Sequence, residues 1–126
     1  MGSVVALNMD AEVALQSQSR PIDLVHLAKQ TLGDRSLEQE VLRLFLTQMD
    51  VYMDRVENAK THEERFAASH TIKGSARNIG AWDVADVAAH LESAAEDQTA
   101  FDVKALKSAL DEACEFIVSI LDQDEI

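Results

Sequence analysis

Between Ile22 and Leu121, apolar residues return every three or four positions, and nowhere do they alternate over a run bounded by turn residues. The first spacing lines one face of an α-helix, whereas alternation would line one face of a strand. A chain with only the helical pattern can bury its apolar surface only by setting helix against helix. Composition points the same way. Aromatic residues make up 5% of the chain, there are four Gly and one Pro, and the 47% that is hydrophobic is rich in Ala and Leu, which are strong helix formers. A length of 126 residues fits one domain around one core.

Stop and start signals divide the pattern into five helices. The first is predicted to begin at Pro21, since proline's missing N–H would be unpaired at that position anyway. Ile22, Val25, Ala28 (or Lys29) and Leu32 form its stripe, and Gly33 stops it. Ser36, with Gln39 three residues on, makes a capping-box pattern. It opens a second helix reaching about Ala59, with Leu37, Val41, Leu44, Phe45, Gln48, Tyr52 and Val56 on its face and Leu42, Met49 and Met53 widening it. Thr61 caps the third, with Glu63 and Glu64 at the positive end of the helix dipole, and Gly80 ends it after Ile79. The fourth starts at Trp82 or Asp83 and turns Val84, Val87, Ala88, Leu91 and Ala95 inward. Asp102 caps the last, whose inner stripe is Val103, Leu106, Leu110, Ala113, Ile117 and Ile120, and residues 122–126 are expected to fray. The result is an all-α fold, an antiparallel up-down four-helix bundle with a short additional N-terminal helix across one end. Residues 1–19 read as a flexible polar tail and residues 20–126 as the bundle domain.

The formal charge is −12. Nucleic acid and anionic membrane both require a basic footprint and are excluded as partners, while a partner with a basic surface would be drawn in. No apolar run approaches the roughly 20 residues that span a bilayer, and the first residues lack the basic start and apolar centre of a signal peptide. Cys114 is the only cysteine, which rules out an internal disulfide and suits a reducing compartment. A cytoplasmic protein, monomeric, is expected.

The third helix carries the chemistry. With His70 set at zero and about 100° per residue, Ala68, Ile72, Ser75 and Ile79 cluster on the opposite side and predict the buried face. Phe66, Lys73, Gly74, Arg77 and Glu63 lie within about 60° of the histidine, so His70 should face solvent. Each neighbour has a use if His70 takes a phosphoryl group. Gly74 removes the side chain that would crowd the approach to the ring, although a glycine inside a helix costs about 0.5–1 kcal/mol relative to alanine. Lys73 brings a cation that offsets phosphoryl charge, and Arg77 lies on the same stripe. Taken singly, these residues could equally be a solvated face and a packing glycine. Phe66 could tuck under the short helix or, with Arg77, Glu63 and Ala67, form part of a docking patch around the histidine.

In the order His-x-x-Lys-Gly-Ser-x-x-x-x-Gly-Ala, from His70 to Ala81, the stretch resembles the signature of histidine-containing phosphotransfer (HPt) domains. Phe45 and the pair Leu91-Glu92 also look like the family's pattern, and the likeness covers about residues 22–121. The resemblance implies that His70 is the phosphoacceptor, that Lys73 supports the phosphorylated state and that Gly74 gives access. It further implies a free-standing phosphorelay protein that exchanges a phosphoryl group with aspartates on receiver domains of response regulators or of an upstream hybrid sensor histidine kinase. Such a protein needs no cofactor of its own, since Mg2+ is expected on the receiver. No Gly-rich phosphate loop or kinase signature is present, in keeping with a phosphocarrier that does not use ATP.

Three other readings fare worse. A metal-carboxylate bundle needs Glu-x-x-His pairs, but Ala59, Ala67 and Val87 stand three before His62, His70 and His90, and only His26 has an acid there, Asp23. A non-phosphorylated interaction or kinase-inhibiting scaffold would not require an intact His70 and Lys73. Nucleophilic chemistry at Cys114 is opposed by its acidic neighbours Asp111, Glu112 and Glu115, which disfavour a thiolate.

Overall fold

A computed structural model describes residues 20–124 of the chain. Among these, five helices follow in order: α1 (Leu24–Gln30), α2 (Arg35–Glu57), α3 (His62–Ile79), α4 (Trp82–Glu96) and α5 (Val103–Asp124), with no strand. The proposed tail, residues 1–19, lies outside the described residues. Helices α2 to α5 form the four-helix bundle: α3 lies between α2 and α4, α5 closes the ring against α2 and α4, and α1 rests on α3. The most intimate pair is α3 and α4, where Ala68, Ala76, Ala85 and Ala88 are buried and let the backbones approach. Larger side chains fill the centre, among them Leu42, Phe45, Ile72, Leu91, Leu106 and Ile117. Each contributes about 1.5–3 kcal/mol on leaving water.

Several helix ends fall where the sequence placed them. Thr61 accepts a hydrogen bond from the Glu64 N–H at 3.1 Å, Gly80 ends α3 in the left-handed region at φ 79°, and the Asp102 carboxylate accepts from the Lys104 N–H. Two starts differ. Helix α1 begins after Asp23, whose carboxylate takes the His26 N–H at 3.1 Å. A capping acceptor outranks a proline that merely tolerates the first turn, so Pro21 lies outside the helix. Likewise α2 is capped by Asp34, which accepts from the Leu37 N–H, and not by Ser36. At its other end α2 stops at Glu57, short of Ala59, and α5 continues as helix to Asp124 instead of fraying at residue 122.

The faces were also rotated in places. In α1 the buried residue is Leu27, while Val25 is exposed and Leu32, at φ 54°, is 92% exposed. Ile22, counted as helical in the sequence, is fully buried but precedes the helix, so the spacing measured from it does not apply. In α2 the core side is Leu42, Phe45, Met49 and Val56, and Leu37 and Leu44 face out. With apolar residues on more than half of its circumference, α2 offers two centres for its stripe, and contact with both α3 and α5 selects one. In α3, Ser75 is only half-buried, and Ser69 and Ala76 take the central positions. Close approach of α4 favours the smallest side chains there.

Candidate functional site

Helix α3 is secured at both ends before its middle can present anything. At the start, Thr61 caps the helix and the Glu64 carboxylate accepts from the Lys60 N–H at 2.8 Å. At the end, the Ala81 N–H reaches back to the Ala76 carbonyl at 2.8 Å, closing the turn into α4. Ala68, Ser69, Ile72, Ala76 and Ile79 face inward, which leaves His70 and Gly74 outside. The imidazole is 63% exposed.

One ring nitrogen is nevertheless engaged. Nδ1 of His70 lies 3.0 Å from Oε2 of Glu92, on α4. The same carboxylate receives the Lys73 ammonium, with Nζ 2.8 Å from Oε2 and 2.9 Å from Oε1. The side chains of Lys73 and Glu92 are 16% and 17% exposed, so this pair sits under the histidine and not beside it in open water. Burial pushes the Glu92 carboxyl up, but hydrogen bonds from Lys73 and then His70, with the positive charge of both, outweigh it and hold the group below its usual 4.5. Glu92 is therefore an anion near neutrality. As an acceptor it fixes the proton on Nδ1 of a neutral ring and leaves the Nε2 lone pair available.

Phe66, one turn earlier, lies nearly parallel to the imidazole, with ring centroids 5.9 Å apart and an interplanar angle of 8°. It is half-buried and stacks on the histidine. A Cβ on Gly74 would meet no atom within 4 Å, so packing within the protein does not demand the glycine. Glu63, Ala67 and Arg77 are exposed. Ala67 also lines a groove of about 430 Å³ between α2 and α3, with Tyr52, Arg55 and Thr71.

The structure thus corrects one expectation and adds one residue. Lys73 does not stand open on the solvent side; its ammonium is turned onto Glu92. A lysine leans toward the N-terminal end of its helix, which brings Nζ level with His70. In the sequence Glu92 stands only as part of a pattern, with no role of its own. A signal for it exists: the helices turn at Ala81, and residues equally far from a hairpin turn face each other. His70 is eleven residues before Ala81 and Glu92 eleven after.

The other histidines are placed differently. His26 meets the Trp82 ring edge-on at 4.8 Å, His62 is half-buried at the start of α3, and His90 is exposed but bonds only the Asp86 carbonyl of its own helix. Trp82 is more than a packing residue, because its Nε1–H donates to Asp23 at 2.9 Å. At Cys114, burial first and then the Asp50 and Asp111 carboxylates push the thiol above its usual value, so it is not an activated nucleophile.

The bundle thus holds an imidazole outward by one nitrogen, and the side chain is 63% exposed. Residues 40–116 match the family model described as the Hpt domain. The match spans more than half of the chain, and the chain belongs to the Hpt family; it is a histidine carrier of phosphorelays. Among solved structures, histidine phosphotransferase ShpA from Caulobacter crescentus is similar to it, at 28% sequence identity and a TM-score of 0.69, with 83% of this chain and 94% of that chain covered. No curated protein sequence matches the chain significantly. Among the described residues, no helix is long and apolar enough to cross a membrane.

Proposed function

We propose that His70 is the phosphoacceptor and that the protein shuttles a phosphoryl group between aspartates of receiver domains, one on an upstream hybrid sensor histidine kinase and one on a response regulator. The observation that carries this reading is the bond from His70 Nδ1 to Glu92, which leaves Nε2 as the nucleophilic atom. In the forward step the Nε2 lone pair forms a bond to phosphorus as the phosphorus–oxygen bond of an aspartyl phosphate breaks. The electron pair leaves with the aspartate oxygen, and no proton has to move first. The ring gains positive charge in this step, and the Glu92 carboxylate next to Nδ1 stabilises it. The reverse step uses the same atoms in the opposite order.

Lys73 has a double duty in this scheme. It neutralises Glu92, so that an incoming phosphoryl group does not meet an uncompensated anion, and it anchors the carboxylate under the ring. Gly74 leaves the approach to Nε2 open. Phe66, Ala67 and Glu63 belong to the surface that the receiver covers. The receiver supplies the acyl phosphate and its Mg2+, and this chain supplies neither ATP binding nor a metal. The protein acts in the cytoplasm as a monomer.

The test is transfer from receiver domains loaded with acetyl phosphate. Wild type is expected to acquire acid-labile, base-stable phosphate, and His70→Gln to remain folded and acquire none. Labelling that persists in His70→Gln, or that maps to His62 or His90, refutes the assignment. If wild type binds receivers yet never takes up phosphate, the scaffold reading replaces it.

A further inference from the structure

With Lys73 turned onto Glu92, the face around His70 needs another positive charge to meet the carboxylates around a receiver's phosphoacceptor aspartate, and Arg77 is placed to supply it. It stands seven residues after His70, two turns along, where the helical phase returns to within about 20°. The rise between them is about 10 Å. Gly74 lies on the stripe between them and its position is open to solvent, with nothing within 4 Å of where a Cβ would stand. Between the positions of His70 and Arg77 the stripe is therefore bare at Gly74. Arg77 is exposed, and its guanidinium makes no hydrogen bond, ion pair or ring contact with a described residue. Nearby cations are otherwise engaged: Lys73 by Glu92, and Arg55, across the groove, by the Tyr52 ring at 4.9 Å.

We infer that Arg77 is the docking cation of this surface: it pairs with carboxylates on the rim of the partner's phosphoacceptor site while His70 Nε2 reaches the phosphorus across Gly74. This rests on the reading of His70 as phosphoacceptor. The electrostatics favour it. The net charge of −12 draws in the basic surface of a partner at long range, while the carboxylates that hold a receiver's Mg2+ call for a local cation where the two surfaces touch. The stripe is polarised as well, because Glu63 stands seven residues before His70. A partner carrying acid toward Arg77 and base toward Glu63 docks in one direction only. The plain alternative is that Arg77 merely complements the negative end of the α3 dipole from its last turn. That role would move stability and leave transfer untouched.

The experiment compares full-length wild type with Arg77→Lys, Arg77→Gln and Arg77→Glu. Phosphoryl transfer is measured from a panel of receiver domains of the same genome, loaded with acetyl phosphate and Mg2+, at low and high salt. Each protein is also labelled with phosphoramidate, a donor too small to dock. For receivers that load wild type, Arg77→Gln should lower kcat/KM about 10-fold at low salt through KM, Arg77→Glu should lower it further and Arg77→Lys should largely restore it. The salt dependence should flatten in Arg77→Gln, and phosphoramidate labelling of His70 should match wild type. If Arg77→Gln transfers like wild type at low salt with every such receiver, the inference is overturned while His70 stands. Equal loss of phosphoramidate labelling also overturns it, because Arg77 would then act on the ring and not on docking. If neither donor labels His70 in wild type, the phosphoacceptor reading fails and takes this inference with it.

Discussion

Two carboxylates tie helices together in this protein, and they do it to opposite ends. Asp23 joins α1 to the turn between α3 and α4. One of its oxygens takes the His26 N–H, the other takes Trp82 Nε1–H, and its own N–H donates to the Gly80 carbonyl at 2.9 Å. Asp23, His26 and Trp82 are all half-buried at that junction, and the His26 ring is held edge-on against Trp82. Glu92 likewise joins two helices and likewise holds a histidine, but only by Nδ1, so that the other side of the ring is left to solvent. The motif's two glycines show the same contrast. A Cβ at Gly80 would stand 2.8 Å from Asp23 Cβ and 3.0 Å from its carbonyl, at a φ of 79°. A Cβ at Gly74 would meet nothing. One glycine is required by the fold and the other is not, and the second is the one the proposed function uses as open approach to His70.

Substitutions can break that comparison. The largest effect is expected for Gly80→Ala. The left-handed backbone and the crowding against Asp23 together should lower stability by about 3 kcal/mol, and a thermal melt should show it as a fall of about 10 °C. A melt within a degree or two of wild type would mean that α1 moves aside freely. Next is Glu92→Gln. Without the anion neither the tautomer nor the ring orientation is secured, and transfer to His70 should slow by about 10-fold in a protein that still folds.

Glu92 also predicts a pH signature. Its carboxyl lies below its usual 4.5 in the folded state. The unfolded chain therefore takes up the proton first as pH falls, and the stabilisation is full above 4.5 and lost as pH drops through the lowered value. The stability gap between wild type and Glu92→Gln, about 1 kcal/mol or less for a partly exposed pair, should close in acid. A gap that widened below pH 4.5 would contradict the network. The smallest effect on folding belongs to Gly74→Ala: a gain of about 0.5–1 kcal/mol, from helix propensity alone. Transfer from receivers should nevertheless slow, because the methyl group enters the approach to Nε2. A destabilised Gly74→Ala, or one that transfers at the wild-type rate, would remove the distinction between the glycines.

Much of this was readable along the chain. His70, Gly74 and Arg77 share a face because helical spacing is a property of consecutive residues, and the left-handed end at Gly80 follows from the residue itself. The faces of α1 and α2 were misread for a related reason. Counting from Ile22 assumed a helix that starts only after Asp23, and α2 is apolar round so much of its surface that periodicity alone could not choose which side is buried. Capping went astray where two candidates stood close, Asp34 and Ser36, since both are good caps and only the turn out of α1 decides which is reached first.

What the sequence by itself determined is therefore local: five helices, their caps in outline, an outward histidine with a glycine one turn on, and the family signature these residues make. The tertiary structure decided the rest. It brought Glu92 to His70 across 22 residues, and the same carboxylate took Lys73 out of the open and left Arg77 as a charge with no partner among the described residues. The physical reason is that a charge acts on whatever lies within a few ångströms, and on the outside of a bundle that neighbour is chosen by how two helices pair. Spacing within one helix cannot specify it.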